Sequence, residues 1–204
     1  HQIVPERIGR NLCDLEEILV RESPPLSLTV LIDPGREEHF RTGFEKEYLA
    51  RVRWSAGLII DNLPAAVRLE DLKKLEEGVK KMKGIGFGLT PGGDDFIAGL
   101  LFALNLIERI DGVVRSDLRG RIAERARSRN QLSAAFLDLA RDGFFFKSLR
   151  DLAIGLAGSD PKAVRTASRR LLKRGATSGA DLAAGFYLTL TLALRKLTQC
   201  KRFA

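Results

Sequence analysis

Apolar and polar positions follow two different rhythms along the chain. Before residue 62 the apolar residues fall in short runs: Ser27–Asp33 reads SLTVLID and stops at Pro34-Gly35, and Leu49–Asp61 carries Val52, Trp54, Leu58, Ile59 and Ile60. Runs rich in β-branched and aromatic residues, bounded by turn formers, predict strands, so a small sheet is expected there. From Arg68 the period changes: Leu69, Leu72, Leu75, Val79 and Met82 recur at steps of three and four and share one helical face. Further helices are expected over Asp94–Ile110, Asp117–Arg141, Lys147–Ala157, Pro161–Arg174 and Gly179–Leu197. The fourth is the best punctuated, since Asp160 can cap it, Pro161 suits its first position and Gly175 follows its basic last turn. After Gly143 the triplet Phe144-Phe145-Phe146 is expected to be buried against the core, with substrate stacking as the alternative. Strand patterns first and helical patterns after them predict an α+β fold. A small N-terminal β-containing portion, residues 1–62, would pack on a larger, mainly helical portion, residues 63–204; an all-helical core with only an edge hairpin is the alternative.

Two glycine-rich segments interrupt the helical part. Residues 84–99 read GIGFGLTPGGDDFIAG and residues 175–185 read GATSGADLAAG. Aligned on Gly88 and Gly175, both give Gly-x-Thr-x-Gly-x-Asp, which pairs Thr90 with Thr177, Gly92 with Gly179 and Asp94 with Asp181. Each copy runs into an apolar helix with an Ala-Gly pair, Ala98-Gly99 or Ala184-Gly185, whose small side chains permit close helix approach.

A helix start carries unpaired N–H groups and positive partial charge, and so can hold an anion. Glycine lets the backbone approach a ligand, although it costs about 1 kcal/mol relative to alanine inside a helix. Candidate substrate-binding residues are therefore Gly86, Gly88, Thr90, Gly92, Gly93, Thr177, Ser178 and Gly179. Candidate catalytic residues are Asp94, Asp95 and Asp181, which can orient an amide, bind a metal or accept a proton. If Asp94 and Asp95 hold a metal, Mg²⁺ with oxygen ligands and water is the one to expect; the sequence leaves the metal open. Capping accounts for part of the pattern without any ligand, because Thr90 or Thr177 can cap, Pro91 suits a first helical position and Ser178 to Asp181 has capping-box spacing. Glycine density, adjacent carboxylates and repetition exceed what capping requires.

Composition narrows the classes. A formal charge of +8 fits either a nucleic-acid surface or a well-solvated exterior, but aromatics do not alternate with the basic residues of Arg115–Arg129 and Lys162–Arg174, so base stacking is not indicated. The apolar run Phe96–Ile107 is too short to cross the roughly 30 Å hydrocarbon layer and reads as a buried helix. The start lacks the apolar run of a signal peptide, and His1 suggests that the native beginning is missing. Cys13 and Cys200 stand near opposite ends without zinc-site spacing, which fits a reducing, cytoplasmic setting. GIGFGL follows a helix-patterned segment and lacks the spacing of a dinucleotide fingerprint, and no lysine completes a phosphate-binding loop of the Walker type. His1 and His39 are the only histidines and neither is near a loop in sequence, so a Ser-His-Asp triad is poorly supported.

GLTPGGDDFIAGLL over Gly88–Leu101 and GATSGADLAAG over Gly175–Gly185 resemble the motifs of the AllH family, named for one subunit of oxamate carbamoyltransferase in anaerobic allantoin breakdown. Leu132-Ser133 and the spacing of Leu137, Ala140 and Gly143 are similar to the family's middle segment. The resemblance implies a part in carbamoyl transfer between carbamoyl phosphate and oxamate, in a complex with other, unrelated subunits. Phe87, Gly92 and Ala176 stand where the family usually has Pro, Ser and His, so any acid-base or ligand role of that histidine is absent here. The expectation is an enzyme subunit binding a small anionic metabolite such as carbamoyl phosphate or oxamate; a non-catalytic ligand-binding or scaffold subunit is the competing reading. The two loops are expected at one shared cleft, where Gly92→Val or Gly179→Val would block the ligand and largely spare the fold.

Overall fold

Thr42 and Glu45 overturn the strand reading of the N-terminal third. In the computed structural model, which describes residues 4–68, 70–86 and 88–194 except the side chain of Pro161, they form a reciprocal capping box. The helix they open, α2, runs Gly43–Val67, straight through the segment Leu49–Asp61 that was expected to be a strand. Leu49, Val52, Ala56, Ile59, Leu63 and Ala66 are its buried face, at steps of three and four, while Trp54 points outward. Burial along that face outweighs the local β-propensity of Val52 and Ile59-Ile60.

The other expected strand, Ser27–Asp33, is a 3-10 turn over Leu28–Leu31, followed by a second turn over Pro34–His39. Leu28, Thr29 and Val30 are all buried, so the segment has no two-residue alternation of faces. Among the described residues there is no strand, and the fold is all-helical rather than α+β. A division at residue 62 would fall inside α2.

Helix α1, Pro5–Glu22, buries Ile8, Leu12, Leu15, Ile18 and Leu19. The face predicted from Leu75, Val79 and Met82 becomes α3, Lys73–Met82; Leu69 lies outside the described residues. Helix α4 spans Gly92–Asp111. The single helix expected over Asp117–Arg141 is two, α5 at Ser116–Ala126 and α6 at Gln131–Arg141. The break comes where Asn130 accepts from the N–H groups of Leu132 and Ser133 and so starts a new helix. Helix α7, Lys147–Ala157, and helix α8, Pro161–Leu172 with Asp160 as its cap, follow the sequence reading closely. Helix α9 spans Ser178–Ala193; the rest of the helix expected up to Leu197, and Cys200, lie outside the described residues.

Helices α4 and α9 form the centre, with every residue from Gly92 to Ile107 and from Gly179 to Leu192 buried. They cross where a Cβ on Gly99 would overlap the Leu182 carbonyl and one on Gly185 would overlap the Phe96 carbonyl, so both Ala-Gly pairs serve backbone-to-backbone packing. Helices α2, α1 and α8 pack on α9, and α6, α5 and α3 on α4. Of the phenylalanine triplet, Phe145 and Phe146 pack on Phe102, with ring centroids 5.0 and 6.1 Å away, whereas Phe144 is exposed. No helix among the described residues is long and apolar enough to cross a membrane.

Candidate functional site

Helices α4 and α9 start side by side, and the loops before them meet: Thr90 Oγ1 lies 3.4 Å from Ser178 Oγ. The repeat has a different register from the one read off the sequence. Pro91 and Thr177 both precede the first helical residue. The Gly93 N–H donates back to the Ile85 carbonyl and the Gly179 N–H to the Arg174 carbonyl. A Cβ on Gly93 would overlap the Met82 carbonyl, and one on Gly179 the Leu171 carbonyl. Gly93 thus matches Gly179, Asp95 matches Asp181, and Gly99 matches Gly185. The repeated unit is a helix, a glycine loop and a central helix: α3 with α4, and α8 with α9.

That register changes what the glycines and carboxylates are for. A Cβ on Gly92 would lie 2.7 Å from Asp181 Oδ2, so the carboxylate borne by α9 sits against the start of α4. Conversely, Asp95 of α4 accepts from Thr90 Oγ1 at 3.1 Å and has the Ser178 hydroxyl, at the start of α9, as a second donor. Each helix dipole therefore meets the carboxylate of the other helix. The backbone donors expected to hold an anion are largely committed. Gly93, Asp94 and Asp95 donate to the Ile85 and Pro91 carbonyls, and Gly179, Ala180 and Asp181 to those of Arg174 and Thr177. Gly92 and Gly179 thus lack room for a side chain because of the protein's own carboxylate and carbonyl groups.

The junction separates two clefts rather than lining one. The first, of about 330 Å³, contains Thr90, Asp95, Ser178 and Gly179 together with Arg174, and its apolar wall includes Leu132, Phe136 and Phe146. The Arg174 guanidinium stacks 4.1 Å from the Phe146 ring centre, which holds it at the cleft. The second, of about 280 Å³, contains Gly88, Gly92, Thr177 and Asp181, with Tyr48 and Phe40 on its wall. Asp94 lines neither: its Oδ1 accepts from the Gly84 N–H at 2.7 Å. Gly86 lies by a third, smaller depression beside Tyr48 and Arg51.

Asp94, Asp95 and Asp181 are each 1% exposed. Burial lifts the Asp95 carboxyl to about 7, the charges of Asp181 and Asp94 add to the rise, and the Ser178 and Thr90 hydroxyls oppose it. Burial likewise lifts Asp181 to about 7, against the Leu28 N–H, which donates to its Oδ1 at 2.6 Å, and the Thr177 hydroxyl. The Tyr48 phenol is pushed up by burial and by the Asp181 charge. Asp95 Oδ1 and Asp94 Oδ2 have no hydrogen-bond partner. Because the three carboxylates turn to different partners, no group of three or more His, Cys, Asp or Glu among the described residues is arranged to hold a metal ion.

Arg174, Tyr48, Phe40, Leu132 and Phe136 were not among the candidates read from the sequence. Arg174 had been visible only as the end of a basic helix turn, and Tyr48 was outside both motifs. No curated protein and no solved structure matches the chain. The family model described as oxamate carbamoyltransferase subunit AllH matches residues 82–190, from the end of α3 through both glycine loops and most of α9, and the chain belongs to that family.

Proposed function

We propose that the chain is the subunit of a carbamoyltransferase that holds a small anionic metabolite, carbamoyl phosphate or oxamate, in the cleft of Thr90, Asp95, Arg174 and Ser178. The observation that carries this reading is Arg174 stacked on Phe146 over a cleft whose floor has two hydroxyls and an unpaired buried carboxyl oxygen. A guanidinium supplies the charge and paired donors that a carboxylate or phosphate needs. Asp95, which accepts from the Thr90 and Ser178 hydroxyls and is held near 7, can give or take a proton at neutral pH. Side chains, rather than the helix-end N–H groups, do most of the holding.

Calorimetric titration with oxamate and with carbamoyl phosphate tests the reading. Arg174→Ala is expected to weaken binding by about tenfold or more, the worth of one charge-assisted contact, while lowering stability by no more than about 1 kcal/mol, the worth of an exposed guanidinium on a ring. Equal affinity in the variant would refute it. The competing scaffold reading draws on the structural use of Asp94 and Asp181, each bonded to a backbone N–H. Carbamoyl phosphate consumption, measured with the chain alone and then with its partner subunits, separates the two: turnover by the chain alone excludes a scaffold.

A further inference from the structure

We propose that the second cleft, across the α4–α9 junction from Arg174, is a separate site for a small uncharged carboxamide with a flat apolar body. Its wall is aromatic: Phe40 and Tyr48 stack with centroids 6.2 Å apart and planes 15° from parallel, and Leu26 lies beside them. Its polar end gathers Thr177, Asp181 and the first residue of α4, Gly92. A mostly apolar cavity of about 280 Å³ with a few convergent polar groups has the usual form of a small-molecule site.

Charge selects the ligand class. Neither Lys nor Arg is among the described residues that line this cleft, while Glu45 and Asp181 do line it, so an anion would meet repulsion with no counter-charge. A carboxamide suits both polarities: its N–H groups donate to Asp181, and its carbonyl accepts from the Tyr48 hydroxyl. The two clefts divide the matched carboxylates in the same way: Asp95 stands with Arg174 in the first, and its counterpart Asp181 with Tyr48 and Phe40 in the second. The same helix junction thus presents one cationic and one neutral-to-acidic face.

The test is an amide-nitrogen NMR titration of the full chain with benzamide and with benzoate, which differ in the charge and donors of the head group. Benzamide is expected to shift the Leu28, Gly92 and Thr177 signals to saturation, and benzoate to leave them in place. Ala176→Phe, made at an exposed lining position, should weaken benzamide by about tenfold or more, and Tyr48→Phe should weaken it several-fold. Arg174→Ala should leave benzamide binding intact, which keeps this site separate from the anion cleft whatever becomes of that reading. Absence of benzamide shifts, benzoate binding as well as benzamide, or indifference to both Ala176→Phe and Tyr48→Phe overturns the proposal.

Discussion

Replacing Asp95 by asparagine should make the protein more stable, and increasingly so as pH rises toward neutrality. Asp95 sits 1% exposed, with one oxygen bonded to Thr90 and the other unpaired, and its carboxyl is raised from 3.8 to about 7. The folded chain therefore binds this proton more tightly than the unfolded chain does. The stability it contributes is fully present below the ordinary carboxylate range and is lost as pH rises through about 7. At about 1.36 kcal/mol per unit, the rise amounts to about 4 kcal/mol in favour of the neutral form, an order-of-magnitude figure. Asparagine keeps the shape, still accepts from Thr90, and carries no charge to bury. Urea unfolding at pH 5 and pH 8 reads the difference. Asp95→Asn is expected to be about 1 to 2 kcal/mol more stable than the parent at pH 5, and about 4 kcal/mol more stable at pH 8. Asp181 titrates in the same range and its charge adds to the rise at Asp95, so the difference reads Asp95 together with its coupling to Asp181. The same stability difference at both pH values would refute the reasoning.

Gly99→Ala should destabilise the chain by about 3 kcal/mol or more in urea melts, because its Cβ would overlap a backbone carbonyl that cannot move without α9. A loss under 1 kcal/mol would mean that the helices cross elsewhere. Gly179→Val, once expected to spare the fold, should instead unfold it, since its side chain would meet the Leu171 carbonyl; retained circular dichroism and an unchanged melt would contradict this. Thr42→Ala removes one arm of the capping box and should lower stability by about 1 kcal/mol, without any change in ligand binding measured by calorimetry.

The sequence discloses the elements whose signals are local and hides those settled by neighbours. Helix α7 matches its expected span, and α8 starts at its expected proline, because Asp160 and Pro161 fix the chain entry within a few residues. Helix α2 is hidden because Val52 and Ile59-Ile60 look like a strand in isolation, although the helical spacing of Leu49, Val52, Ala56, Ile59 and Leu63 and the capping box at Thr42 stand in the sequence. The meeting of the two glycine loops was legible in their repetition, but the register was not. Matching Thr90 to Thr177 favours one offset, whereas the Ala-Gly pairs, which set the helix crossing, obey the other. Arg174 stands directly before Gly175, so its place beside the second loop is legible and only its stacking on Phe146 is not, whereas Tyr48 reaches its cleft through tertiary packing alone.

Central helix α4 is buried on every side from Gly92 to Ile107, and its principal neighbour α9 is made long after it, with α5, α6, α7 and α8 in between. During synthesis the stretch Gly92–Ile107 leaves the ribosome without the partner that covers it, and its glycine groove at Gly99 stays vacant until Ser178–Ala193 has followed. Such late, long-range closure slows folding and leaves apolar surface open to aggregation in the interval. A chain halted before α9 is therefore a substrate for chaperones rather than a smaller working protein.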